Sequence, residues 1–148
     1  MQTYHIPVMT KEVIHYLDCK PGKIYADCTL GGSGHALAIC EKIKPGGIMI
    51  GIDQDEDAIV NAKNVLKPHL SNVHLFHGNF VHLSAFLSES GISKVDGILL
   101  DLGLSLHQID SSGRGFSFKR EEPLDMRMDT ESDTTAEDLV NELDETSL

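Results

Sequence analysis

Asp27-Cys28-Thr29-Leu30-Gly31-Gly32-Ser33-Gly34-His35, followed by Gly47-Ile48-Met49-Ile50-Gly51-Ile52-Asp53, decides the fold. The first stretch is a glycine turn and the second an apolar run that ends in a carboxylate. Gly31, Gly32 and Gly34 let the backbone turn tightly and approach a ligand with no side chain in the way. Strand, glycine turn, helix, strand, acid is the order that builds an adenosine-cofactor pocket in an open α/β sheet. Asp53 stands where a carboxylate accepts hydrogen bonds from two ribose hydroxyls. A full G-x-G-x-x-G is absent, because the third glycine position falls on Leu37. That pattern sets a pyrophosphate on a helix N-terminus, so a nicotinamide-dependent dehydrogenase is disfavoured. S-adenosylmethionine carries no phosphate, and Asp27 beside the turn suits its cationic methionine portion.

Working outward, Thr10 reads as the N-cap of a helix through Val13, Ile14 and Leu17, ended by Pro21-Gly22. Residues 24–26 read as a strand. Residues 34–43 read as a helix burying Ala36, Leu37, Ile39, Cys40 and Ile43. After the strand to Asp53, residues 55–66 read as a helix, 73–77 as an alternating strand, 83–90 as a helix and 95–100 as a fourth strand. Strands separated by helices imply βαβ units and an open, mainly parallel sheet. Right-handed crossovers then bring the carboxyl ends of all strands to one edge. Asp27, Asp53, Gly78-Asn79-Phe80 and Asp101 all fall there. Phe80 is placed to cover an adenine face. Asp101 is placed to orient an exocyclic amine.

At 148 residues, 41% hydrophobic, the chain has the length of one domain with a real core. No apolar run reaches the roughly 18 residues of a membrane span, and the start carries no secretory or organelle signal. Cys19, Cys28 and Cys40 form no C-x-x-C pair and suit a reduced, cytoplasmic setting. The net charge of −11 is uneven. Residues 121–148 hold 11 acids and one base, a net of −10, so the remainder is close to neutral at −1. Such a body does not bind nucleic acid indiscriminately but is compatible with a specific RNA.

The expected organisation is a cofactor-binding α/β half over 1–101, an active-site loop over 102–133 rich in Gly, Ser and Asp, and the start of a helical segment over 134–148. Thr134 with Glu137 resembles a capping box for that last helix. Within the loop, Arg114-Gly115-Phe116-Ser117-Phe118-Lys119-Arg120 mixes bases with aromatics, as segments that hold single-stranded RNA do. His74, His77 and His82 lack metal-ligand spacing, so no metal is expected.

Several motifs together resemble the bacterial 16S ribosomal RNA cytosine-N4 methyltransferases of the RsmH (MraW) type. They are His5-Ile6-Pro7-Val8-Met9, Asp27-Cys28-Thr29-Leu30-Gly31-Gly32, Gly51-Ile52-Asp53-Gln54-Asp55 and Gly78-Asn79-Phe80. Further along stand Asp96-Gly97-Ile98-Leu99-Leu100-Asp101-Leu102-Gly103, Arg114-Gly115-Phe116-Ser117-Phe118 and Pro123-Leu124-Asp125-Met126-Arg127-Met128-Asp129. The resemblance implies a Rossmann-like S-adenosylmethionine-dependent methyltransferase fold and methylation of the N4 amine of a cytidine in small-subunit ribosomal RNA. It implies cofactor contacts at Ser33, Gly34, His35, Asp53, Phe80, Asp101 and Gln108. Two departures stand out. Ser33 replaces a glycine, which would strain a left-handed backbone, and Ser105-Leu106-His107-Gln108 replaces Ser-Ser-Pro-Gln. Family members also run well past this length, so the fold is expected to be incomplete, with the first four strands. Its last strand is expected at an open edge that invites self-association. A non-catalytic, cofactor-binding remnant is the alternative.

Overall fold

The computed structural model describes residues 7–148; His5 and Ile6 of the first motif lie outside them. Among the described residues there are four strands: β1 (Ile24–Asp27), β2 (Ile48–Asp53), β3 (Val73–His77) and β4 (Gly97–Leu99). They pair in parallel in the order β3-β2-β1-β4. The register sets Ala26 beside both Ile50 and Ile98, and Asp53 beside His77.

Helices α1 (Thr10–Leu17), α2 (Gly34–Ile43), α3 (Glu56–Val65) and α4 (Leu83–Glu89) complete this half. The chain steps from β1 to β2 to β3 in one direction, then returns past β1 to β4. Right-handed connections therefore send α2 and α3 to one face and α4 to the other. The buried side chains follow that division. Ala36, Ile39, Cys40 and Ile43 of α2 and Ile59 and Ala62 of α3 pack with Tyr25 and Met49. Leu87 of α4 packs with Ala26, Ile50 and Ile52, and Phe76 stacks on Phe86 at 4.7 Å. β2 is apolar on both sides because both of its faces are covered.

Several sequence expectations shift. Met9, in a left-handed conformation, occupies the N-cap of α1. Thr10 is already helical, and its hydroxyl donates to the Pro7 carbonyl at 3.2 Å. The helix stops at Leu17 with Asp18 left-handed, ahead of Pro21. On α2, His35 joins the buried stripe while Leu37 packs on the core only half-buried, because 35, 39 and 43 lie one above another at helical spacing. β3 shows no alternation, since all five residues are half-buried on an edge strand.

The contacts divide the chain into two units, Met1–Gly103 and Leu104–Leu148. The second holds a helix that its composition conceals, α5 (Leu106–Asp110), and α6 (Ala136–Glu142). The capping box of α6 falls one residue later than expected. Thr135 Oγ1 accepts from the Asp138 N–H at 3.1 Å, and Asp138 Oδ2 accepts from the Thr135 N–H at 2.9 Å. Aspartate here does the work assigned to glutamate. Among the described residues, no helix is long and apolar enough to cross a membrane.

Candidate functional site

In an open α/β sheet, ligands bind outside the carboxyl ends of the strands where the strand order reverses. Here the reversal lies between β1 and β4. The Cys28 N–H donates to the Leu99 carbonyl at 3.0 Å, holding the two strand ends together. Just beyond, the Asp101 N–H donates to Thr29 Oγ1 at 2.8 Å. Asp27 Oδ1 in turn accepts from the Thr29 N–H at 3.1 Å and lies 3.4 Å from its hydroxyl. Thr29 thus joins the carboxylate that ends β1 to the main chain that follows β4.

Asp27 is wholly buried, and its Oδ2 has no hydrogen-bond partner. Burial pushes its carboxyl up to about 7, against the pull of the Thr29 bonds; the charges of Asp53 and Asp101 add to the rise. Asp53 is tied from two sides. Its Oδ2 accepts from the Gly31 N–H at 2.8 Å and its Oδ1 from the Asp55 N–H at 2.9 Å. Gly31 presents its N–H from a left-handed φ of 43°. A carboxylate has about four lone-pair positions, so these bonds leave Asp53 able to accept from a ligand. Burial raises its carboxyl above the ordinary range, and main-chain bonds from Gly31, Asp55 and Gln54 oppose that. The N-cap of α3 is Asp55, which accepts from the Asp57 N–H, so the cap role does not consume Asp53.

The turn itself is crowded. Ser33 adopts φ 63°, is fully buried, and its hydroxyl finds no partner. The glycine expected there would have neither problem. A Cβ on Gly34 would lie 2.5 Å from Pro7 Cγ, so the proline of the first motif packs directly on the turn. Gly32 is half-buried in the same turn. His35 is buried on α2, with Nε2 3.5 Å from Asp101 Oδ2. Phe80 follows β3 and is 36% exposed, which leaves its ring partly open to solvent.

Asp27, Gly31, Gly32, Ser33, Gly34, His35, Asp53, Phe80 and Asp101 all belong to the first unit, on the carboxyl edge of its sheet. Thr29, Gln54 and Asn79 stand inside the motifs, yet the sequence assigns none of them a role. Asn79 Nδ2 donates to Gln54 Oε1 at 2.9 Å, linking the loops after β2 and β3. Their sequence signal is their place in those motifs, near Asp27, Asp53 and Phe80.

Gln108 lies in the second unit, buried, where it closes the capping box of α5 with Ser105. Arg114 is buried there as well. Its Nη1 donates at 2.9 Å to the carbonyls of both Arg127 and Met128, and its guanidinium covers Phe116 at 5.5 Å. Arg114 therefore organises its own unit. Gly115 has φ 78°, and a Cβ there would meet the Pro123 carbonyl at 2.2 Å, so the two late motifs are packed together. Arg120 donates to the Asp110 carbonyl. Lys119 is exposed, and Phe118 is 100% exposed.

Solved structures share the arrangement of sheet and helices. The C-terminal domain of precorrin-6Y C5,15-methyltransferase from Rhodobacter capsulatus matches with a TM-score of 0.53 over 71% of this chain and 54% of that one, at 16% identity. The fold is of the Rossmann-like methyltransferase class. Sequence narrows this much further. The profile of the MraW methylase family matches residues 2–148, and the chain belongs to that family. It is 57% identical over 148 residues to the ribosomal RNA small subunit methyltransferase H of Desulforapulum autotrophicum. It is 43% identical over 148 residues to the protein of the same name in Clostridioides difficile. Both matches cover 100% of this chain but 47% and 48% of those proteins, so it spans about half their length.

Proposed function

We propose that the protein binds S-adenosylmethionine at the carboxyl edge of the sheet, and that this site serves methylation of the exocyclic N4 amine of a cytidine in small-subunit ribosomal RNA. The observation that carries the cofactor reading is Asp53, a half-buried carboxylate held at the end of β2 by the main-chain N–H groups of Gly31, Gln54 and Asp55. Family membership and the names of the relatives support the RNA substrate. When bound, S-adenosylmethionine supplies a methyl group on a cationic sulfonium.

The chain's own residues position the partners. Asp53 accepts from the ribose hydroxyls, and Phe80 covers the adenine. The backbone of Gly31, Gly32, Ser33 and Gly34, with His35, lines the turn, and the negative field of Asp27 favours the cationic methionine portion. Gln108 completes the cofactor set by resemblance. Asp101 accepts an N–H of the cytidine amine, which turns the nitrogen lone pair out of conjugation with the ring. Orientation is the main requirement of an in-line displacement, and the base must leave its stack to be reached. Phe118, Lys119 and Arg120 supply stacking and phosphate contact, while Arg114 and Phe116 hold the segment that presents them.

Titration calorimetry with S-adenosylmethionine on the wild type and Asp53→Ala tests the cofactor site. Transfer of labelled methyl to small ribosomal subunits, read after digestion to nucleosides, tests the target. The second reading is a non-catalytic, cofactor-binding module that self-associates. It draws on β4, an edge strand whose Ile98 is 46% exposed and whose neighbour Leu100 is 49% exposed. Cofactor binding without methyl transfer, together with dimers in sedimentation, would favour it.

A further inference from the structure

The charges of the first unit are sorted by sheet edge. All eight of its basic residues are lysines, and seven lie at the amino edge, where helices end and strands begin. In the spatial order of the sheet, Lys67, Lys44, Lys23 and Lys94 precede β3, β2, β1 and β4, one before every strand. The row spans three strand spacings, about 14 Å. Lys20, Lys42 and Lys63 flank it, and all seven are exposed. The acids of that edge are Asp18, Glu41, Glu89 and Asp96, which leaves a net of +3. The carboxyl edge carries Glu12, Asp27, Asp53, Asp55, Glu56, Asp57 and Asp101 against Lys11 alone, a net of −6.

Helix C-termini favour lysine, which accounts for Lys42 and Lys63 in the last turns of α2 and α3. It does not account for Lys23 and Lys94 in the connections between elements, nor for Lys67, which opens a short 3₁₀ helix over Lys67–Asn72. Three of the seven form surface pairs: Lys20 with Asp18 at 2.5 Å, Lys23 with Asp96 at 3.3 Å and Lys44 with Glu41 at 3.2 Å. Exposed pairs of this kind are weak and screened by salt, so they do not hold the lysines against a phosphate. Lys42, Lys63, Lys67 and Lys94 form no ion pair among the described residues and are available outright.

We infer that the amino edge of the sheet is a second contact surface for RNA phosphates, on the side of the first unit opposite the proposed methyl-transfer edge. The partner is the sugar-phosphate backbone of structured RNA, recognised by charge and not by sequence. This rests on the reading of the protein as an RNA methyltransferase. A ribosomal RNA is far larger than this unit, so it can engage both edges at once. The surface has a physical use: the carboxyl edge alone would repel a polyanion, and an anchoring cationic edge offsets that repulsion.

The test uses the full chain and a fluorescein-labelled RNA hairpin of arbitrary sequence, with binding followed by anisotropy across a salt series. Each phosphate contact contributes roughly 0.7–0.9 to the slope of log affinity against log salt. The variant Lys42→Gln/Lys63→Gln/Lys67→Gln/Lys94→Gln should flatten that slope by about 3 and bind at least tenfold more weakly in low salt. A site-specific readout separates a local surface from a change in total charge. RNA should protect Lys42, Lys63, Lys67 and Lys94 from acetylation, with Lys11 at the other edge unprotected. Unchanged slope, equal acetylation with and without RNA, or no RNA binding by the wild type overturns the inference. S-adenosylmethionine calorimetry on the same two proteins should give equal affinities. Lost cofactor binding in the wild type would count against the function itself, whereas equal cofactor binding with unaltered RNA binding would count against this surface alone.

Discussion

The main-chain N–H of Gly31 donates to Asp53 Oδ2 at 2.8 Å, which ties the turn after β1 to the carboxylate that ends β2. One residue therefore shapes the glycine turn and, in the proposed function, also accepts from a ligand. Asp53→Ala is expected to weaken S-adenosylmethionine binding by about 2–3 kcal/mol, the worth of hydrogen bonds to a charged acceptor. It should also lower stability by about 1–2 kcal/mol, since the N–H groups of Gly31 and Asp55 lose their acceptor. Calorimetry reads the first effect and denaturant unfolding the second. Unaltered binding would remove Asp53 from the site.

Ser33 combines a left-handed backbone with a buried, unpartnered hydroxyl. Ser33→Gly relieves about 1–2 kcal/mol of backbone strain and removes an orphaned polar group. It returns roughly 0.5–1 kcal/mol through the greater freedom of glycine in the unfolded chain. The expected result is a net gain of about 1 kcal/mol and a melting temperature higher by about 3 °C. A lower melting temperature would show that the serine hydroxyl is satisfied in solution.

Asp27 titrates near neutrality when folded because burial disfavours its charge. Its folded pKa lies above its unfolded one, so the native state holds the proton more tightly. The stability this contributes is complete below about pH 4 and disappears as pH rises through about 7. At most about 4 kcal/mol is at stake. Asp27→Asn keeps an acceptor for the Thr29 N–H and carries no charge. It should be more stable than the wild type at pH 8 and show a flatter stability profile between pH 4 and 8. Parallel profiles for the two proteins would contradict the buried state of Asp27.

In the second unit, Phe118 and Arg114 should separate binding from stability. Phe118→Ala removes a fully exposed ring and should change stability by less than about 0.5 kcal/mol. RNA affinity should fall by about 1–3 kcal/mol through lost stacking. Arg114→Ala deletes two buried hydrogen bonds to main-chain carbonyls and should destabilise the unit by about 2 kcal/mol or more. Hydrogen exchange over residues 104–148 reads that loss. Equal effects of the two substitutions on RNA binding, with no change in exchange, would reverse the assigned roles.

Much of the first unit is legible along the chain. The span of α2, the span of β3, the carboxylates that end β1 and β2 and the one that follows β4 are read from helical spacing, an alternating five-residue run and glycine punctuation, all of which are local. The errors are local too. Thr10 and Thr134 are adequate capping residues, but the neighbours Met9 and Thr135 take those places. A threonine beside a helix start carries no record of which peptide first turns helical. The short α5 sits in a segment whose composition reads as loop, and five residues are too few for a periodicity to emerge.

By itself the sequence determined the fold class, the family and the list of chemical groups at the carboxyl edge, because strand order and turn chemistry are written in short-range patterns. Tertiary structure alone decided which groups act together. Thr29 holds the Asp27 carboxylate and accepts from the main-chain N–H of Asp101, 72 residues further along the chain. Arg114 turns inward to main-chain carbonyls, although its neighbours in sequence invite a phosphate. Seven scattered lysines share one edge only because parallel strands all begin on the same side. Hydrogen bonds, burial and electric fields depend on distance in space, and folding sets that distance.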